Sequence, residues 1–133
     1  MKKTISIFMI ALLATTFITG TANAAAKSYS GYYLLREKQN YTTPEHEKNS
    51  NKAKAFNSCT SIVNATAANW WITPTVDGTT LYTPKKKITS GSANTATYSN
   101  SNNGKKGKKV RMAVENAVNT TTEGTISGSI NFY

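Results

Sequence analysis

Two stretches near the end of the chain constrain its fold more than anything else in it. Val110, Met112 and Val114 alternate with Arg111, Ala113 and Glu115. Ile126, Gly128, Ile130 and Phe132 alternate with Thr125, Ser127, Ser129 and Asn131. A period of two puts each apolar set on one face of a pleated sheet, where it can be buried. The polar segment Asn119 to Gly124 reads as the connection of an antiparallel hairpin between them. Val110, Met112, Val114, Ile126, Ile130 and Phe132 are therefore expected in one core.

Composition agrees with a sheet. After residue 24 the chain holds 11 Ser, 16 Thr and 13 Asn among 109 residues, and Leu appears only at 34, 35 and 81. Thr suits a pleated surface and Asn suits turns, while strong helix formers are scarce. Eleven aromatic residues in the same stretch argue against a disordered chain. The expected class is all-β, a small antiparallel sandwich or open barrel of six to eight short strands. Many small secreted domains are stapled by disulfides, but the single cysteine, Cys59, can form no internal bridge. It reads as a buried thiol.

The first 24 residues read as an address. Lys2 and Lys3 precede an apolar run from Ile5 to Ile18, and Ala22-Asn23-Ala24 offers small residues at a cleavage site. This is the pattern of a secretory signal peptide cut after Ala24. The run is short for a bilayer span, so residues 25–133 are expected as one secreted domain with no transmembrane segment. That domain carries fourteen basic and six acidic side chains, a net of +8.

The remaining elements follow from local pattern. Ser28 to Arg36 is a first strand, and Glu37 to Lys54 is a long exposed loop. Phe56 to Val63 is a weaker strand, and Ala65 to Ala68 is an ambiguous segment that could form a helical turn. Trp70 to Val76 is a stronger strand, returned through Asp77-Gly78 by Thr79 to Tyr82 as a hairpin. Asn94 to Tyr98 is another short strand. Asn100 to Lys109 is a loop rich in Asn, Gly and Lys.

Residues that could carry chemistry are few. His46, the only histidine, stands between Glu45 and Glu47 and belongs to no nucleophile motif. Two carboxylates without a third defined ligand do not make a metal site. No cofactor motif is present, and a non-enzymatic protein is expected. The lysines are the clearest candidates. Lys85, Lys86 and Lys87 form one cluster, and Lys105, Lys106, Lys108 and Lys109, extended by Arg111, form a second. Such clusters make a local field that attracts polyanions. Trp70 and Trp71 are neighbours on a strand and should face opposite sides, so one indole is expected inside and the other either outward, as a contact platform, or covering a second layer.

Ser90-Gly91-Ser92, Tyr98-Ser99-Asn100, Gly107 with Val110-Arg111-Met112-Ala113, Glu115-Asn116 and Ser127-Gly128 resemble a family of small secreted Gram-positive proteins catalogued mainly as a domain of unknown function. The resemblance covers about residues 70–133 and implies a small secreted β-protein without assigned catalytic residues. The leader, the basic charge, the tryptophans and the aromatic Phe132-Tyr133 also resemble lactococcin-type secreted bacteriocins. The expected function is binding of an anionic cell-wall polymer or membrane surface, with a bacteriocin-like antimicrobial as the alternative and an extracellular enzyme as a distant third. No motif for specific nucleic-acid recognition is present.

Overall fold

A computed structural model describes residues 26–133. The leader expected over residues 1–24 lies outside them. The described chain is all-β and forms two antiparallel sheets that do not close into a barrel. Its strands are β1 (Lys27–Leu34), β2 (Tyr41–Thr42), β3 (His46–Glu47), β4 (Lys54–Val63), β5 (Ala68–Thr73), β6 (Lys86–Ile88), β7 (Ala93–Thr97), β8 (Lys109–Asn116) and β9 (Gly124–Asn131). One sheet has the order β1-β9-β4-β7 and the other β2-β8-β5-β6, with β3 also paired to β8. Among the described residues no helix is long and apolar enough to cross a membrane.

The core lies between the sheets. Leu34, Cys59, Ile126 and Ile130 come from the first sheet, and Trp70, Ile72, Val110, Met112 and Val114 from the second. Along β9 every second residue is buried, as its period of two requires. All six residues expected in the core are there, including Phe132 just after β9. Cys59 is buried and free. Burial pushes its thiol pKa up, which keeps the sulfur protonated.

The hairpin expected between the last two strands does not form. β8 pairs with β5, β2 and β3, whereas β9 pairs with β1 and β4. The connecting segment crosses from one sheet to the other. It is anchored where Ala117 N–H donates to Ala67 O at 3.1 Å and Glu37 N–H donates to Thr120 O at 2.8 Å. Met112 and Ile126 thus belong to opposite layers of one core rather than to neighbouring strands. A period of two determines which face a residue occupies and says nothing about which strand lies beside it.

Three further expectations are corrected. Ala65 to Ala68 makes no helical turn and instead leads from a left-handed Asn64 (φ 57°) into β5. Thr79 to Tyr82 is not a strand, and the partner of β5 on that side is β6, beyond Pro84. The segment from 74 to 80 folds back instead. Thr42 Oγ1 donates to Val76 O and Asn40 Nδ2 donates to Asp77 O. Glu37 to Lys54 is not a free loop either, because β2 and β3 both lie along β8. Thr43 fills the gap between them. Its N–H donates to Met112 O at 2.8 Å, and its hydroxyl accepts from Met112 N–H at 3.0 Å.

One close approach organises the first sheet. The Tyr29 hydroxyl reaches past Gly128 to donate to Asn57 Oδ1 at 2.8 Å. Register shifts flank this point in both neighbouring strands, between Tyr29 and Tyr32 and between Cys59 and Ser61. A Cβ at Gly128 would collide with the Ser58 carbonyl oxygen and lie 2.8 Å from the Tyr29 hydroxyl. Gly128→Ala should therefore destabilise the fold by about 1–3 kcal/mol, as overpacking does. A urea-unfolding midpoint equal to that of the parent protein would contradict this.

Tyr29 and Tyr98 are both buried, and burial pushes their phenols well above the usual tyrosine range. In the unfolded chain these phenols ionise near pH ~10. The folded state holds their protons longer, so their contribution to stability is complete below that pH and is lost as pH rises beyond it. We expect alkaline unfolding above pH ~10, with two of the seven tyrosines ionising only as the fold is lost. Phenolate absorbance recorded alongside circular dichroism checks this, and all seven ionising before unfolding would refute it.

Candidate functional site

The side chain that builds the candidate site is Lys48, which is only 1% exposed. Its ammonium donates to the main-chain oxygens of Phe132 at 2.6 Å, Tyr133 at 2.9 Å and Lys52 at 3.2 Å. It also sits 4.4 Å from the centroid of the Tyr98 ring. Burial pushes its pKa down to about 8, while three carbonyl acceptors and the ring face hold the charged form. The Lys48 backbone is tied as well. Its N–H donates to Lys108 O, and its carbonyl accepts from Gly107 N–H, both at 2.9 Å. Lys106 N–H donates to Asn51 Oδ1 at 2.8 Å. The 48–52 and 105–108 segments are thereby hydrogen-bonded to one another and to the end of β9. Gly107, at φ 82°, lets the second segment turn there.

This arrangement gathers charge. Lys52, Lys105, Lys106 and Lys108 are exposed on the joined segments, and Lys54, which opens β4, and Lys27, which opens β1, lie at the same end of the sandwich. Two acidic side chains lie here. Glu45 takes ion pairs from Lys109 at 3.4 Å and Arg111 at 3.8 Å, and Glu47 lies beside the 105–108 turn. The other four acids are placed elsewhere. Glu37 and Glu123 belong to the opposite end with Arg36, Asp77 lies in the 74–80 segment, and Glu115 pairs with Lys85. The sandwich is polarised along its length, with the basic end at the start of β8 and the end of β9.

Two hollows open at this end, on either side of Tyr133. The first, about 230 Å³, is lined by Glu45, His46, Glu47, Asn49, Asn131 and Phe132, with Lys27 and Tyr133 at its margins. His46 stacks on Phe132 with ring centroids 5.1 Å apart. Burial first, and then the charges of Lys27 and Arg111, push its pKa down, which favours the neutral ring at neutral pH. Its immediate neighbours do not converge with it on a metal, and among the described residues no three His, Cys, Asp or Glu side chains form a ligand group. The second hollow, about 320 Å³, is lined by Lys52, Ala53, Lys54, Thr95 and Tyr133. There the Lys52 ammonium lies 4.1 Å from the centroid of the Tyr133 ring.

The residues singled out from sequence divide into three groups. Lys105, Lys106 and Lys108 are exposed at the basic end, while Lys109 and Arg111 are engaged with Glu45. The Arg111 guanidinium also donates to Thr43 O at 3.0 Å. Lys86 and Lys87 lie opposite Trp70 and Asn69 on the far edge strand β6. They are about 16 Å from Lys109 along the strands and about 10 Å across them, which exceeds the screening length of ~8 Å. The two lysine clusters are therefore separate patches. Lys85 is spent on structure, since it pairs with Glu115 at 2.8 Å and covers the Trp71 ring at 4.2 Å.

Neither tryptophan is a contact platform. Trp70 and Trp71 are both 0% exposed, so of the two expected placements the outer indole takes the second-layer one, and the contact-platform reading is corrected. They do face opposite sides, as alternation requires. Trp70 enters the core and donates to Asn94 Oδ1, whereas Trp71 donates to Gly78 O under the folded-back 74–80 segment. Sequence reasoning missed Lys27, Lys48, Lys52 and Lys54. The available signal was that Lys48 and Lys52 shortly precede β4, the longest strand, and Lys54 opens it.

No family model, curated protein or solved structure matches this chain.

Replacing Lys48 with Met should cost about 2–4 kcal/mol, because the carbonyls of Phe132 and Tyr133 lose their charged donor. Lys108→Met, at an exposed position, should cost less than about 0.5 kcal/mol. Equal melting temperatures for the two variants would show that Lys48 anchors nothing.

Proposed function

We propose that this chain is a secreted, non-enzymatic binding domain whose basic end engages an anionic polymer or surface of the cell envelope. The observation that supports this reading is the joining of the 48–52 and 105–108 segments, which brings four exposed lysines together at one end of the sandwich, where Lys54 opens β4. Among the described residues none of these ammoniums is in an ion pair, and such groups can follow the irregular charges of a polymer without exact geometry. Of the six acids only Glu45 and Glu47 lie at the basic end, and Glu45 is met by Lys109 and Arg111, so the exposed lysines leave a net positive field there. The extracellular placement rests on the leader pattern of residues 1–24.

The candidate reacting groups support a binding role. The neutral His46 ring is occupied by stacking on Phe132, and the Cys59 thiol is buried and held protonated. The anionic partners that fit are wall polymers and acidic lipid head groups.

A pull-down of the secreted chain on isolated cell walls and on anionic vesicles, across a salt series, tests the reading. Binding should fall steadily with added salt, because exposed lysines act through a screened field. Substituting Lys52, Lys54, Lys105, Lys106 and Lys108 with Gln should weaken it by at least about tenfold, at up to ~1 kcal/mol per charge. The same change at Lys86 and Lys87 should have a smaller effect. Binding that persists at high salt, or that follows the β6 lysines instead, would reject the proposal.

A further inference from the structure

The basic end is more than a field, because acceptors sit inside it. The hollow beside His46 has one lysine, Lys27, in its lining, and its walls carry the carboxylates of Glu45 and Glu47 and the side-chain amides of Asn49 and of Asn131, whose oxygen already accepts from Tyr133 N–H. A bare polyanion gains little from such walls, since the carboxylates repel phosphate and accept hydrogen bonds only from donors, and only the amides have N–H groups to give. Hydroxyl groups are the donors that suit them. At about 230 Å³ the hollow has room for roughly seven waters, which is the size of a polyol or a single sugar unit. Phe132 supplies an apolar floor, with His46 stacked on it. Lys109 and Arg111 hold Glu45 in place from behind. Glu47 is exposed and, among the described residues, makes no ion pair.

Resting on the polyanion reading above, we propose that the basic end recognises a hydroxyl-bearing anionic polymer, a chain of polyol or sugar phosphates. One hydroxylated unit occupies the hollow beside His46, and neighbouring phosphates lie on Lys52, Lys54 and the 105–108 lysines. Tyr133 stands between the hydroxyl-binding hollow and the Lys52–Lys54 hollow, so one polymer chain passing over it meets both chemistries in succession. The lysines supply attraction, and the acceptors of the hollow supply discrimination.

The test measures affinity for two defined probes at one ionic strength, poly(glycerol phosphate) and inorganic polyphosphate, with Glu47→Ala/Asn49→Ala and Glu47→Gln variants. Both positions are exposed, and retained polyphosphate binding reports an intact fold. The double variant should lose about fivefold or more on poly(glycerol phosphate), the equivalent of one or two hydrogen bonds, while its polyphosphate affinity holds or rises because a repelling carboxylate is gone. Glu47→Gln keeps an acceptor and should retain most of the polyol-phosphate affinity. Equal changes on both polymers, or no change on either, would overturn the hydroxyl recognition and leave the polyanion reading standing. Failure of the parent protein to bind either polymer would overturn both.

Discussion

The Lys48 ammonium is the interaction on which the functional end depends. It binds one main-chain oxygen four residues away and two from the distant Phe132–Tyr133 segment, and its own backbone binds the 105–108 segment. Three pieces without long strands of their own are thereby fixed to one end of the sandwich. A neutral side chain could fill the space but could not satisfy these carbonyls together. An ammonium can, because it has three donors and no acceptor. The burial that makes this anchor strong also makes its charge costly, which is why its pKa falls to about 8. The fold accepts that cost because the charge is fully hydrogen-bonded.

This anchor also explains how so many lysines can crowd one end of a small domain. Like charges on free loops repel and would move apart. Here the repulsion acts against backbone hydrogen bonds at 2.8–2.9 Å and against the docking of β2 and β3 on β8. The exposed ammoniums remain in high-dielectric solvent, where each mutual repulsion is weak. With no disulfide available, the sheets supply the stiffness. β8 is buried on both sides from Met112 to Asn116, by the core on one and by Trp71 and its covering segment on the other.

Much of this was legible in the sequence and some was not, and the dividing line is physical. Val110, Met112, Val114, Ile126, Ile130 and Phe132 could be placed in one core because alternation determines the face. Their strands could not be assigned partners, because hairpin and cross-sheet connections look alike when the linking segment is long. The exposed lysines at 105, 106 and 108 were readable from their Gly-punctuated loop. Lys48 was not, because a lysine is almost never buried without a visible partner, and its partners are main-chain atoms that no residue type encodes. The choice between an open and a covered Trp71 was illegible for a related reason. Strand alternation put it on the outer face correctly, but only the return of residues 74–80 and the reach of Lys85 to Glu115 buried it there.

The misreadings share a direction, and it bears on function. Side chains that looked free for binding, Trp71, Lys85 and Arg111, are consumed by the fold. A segment that looked like inert solvated loop, Glu37 to Lys54, supplies Lys48, Lys52, Lys54 and the walls of the hollow beside His46. In a small sandwich the strand interiors are already committed to the core and the covering layer. Binding chemistry therefore concentrates where strands end and segments meet. The tight connection through Asn119 and the loose-looking approach to β4 differ little in polarity. What separates them is that one meets acids at its end of the sandwich and the other meets lysines, and that difference arises only when the chain folds.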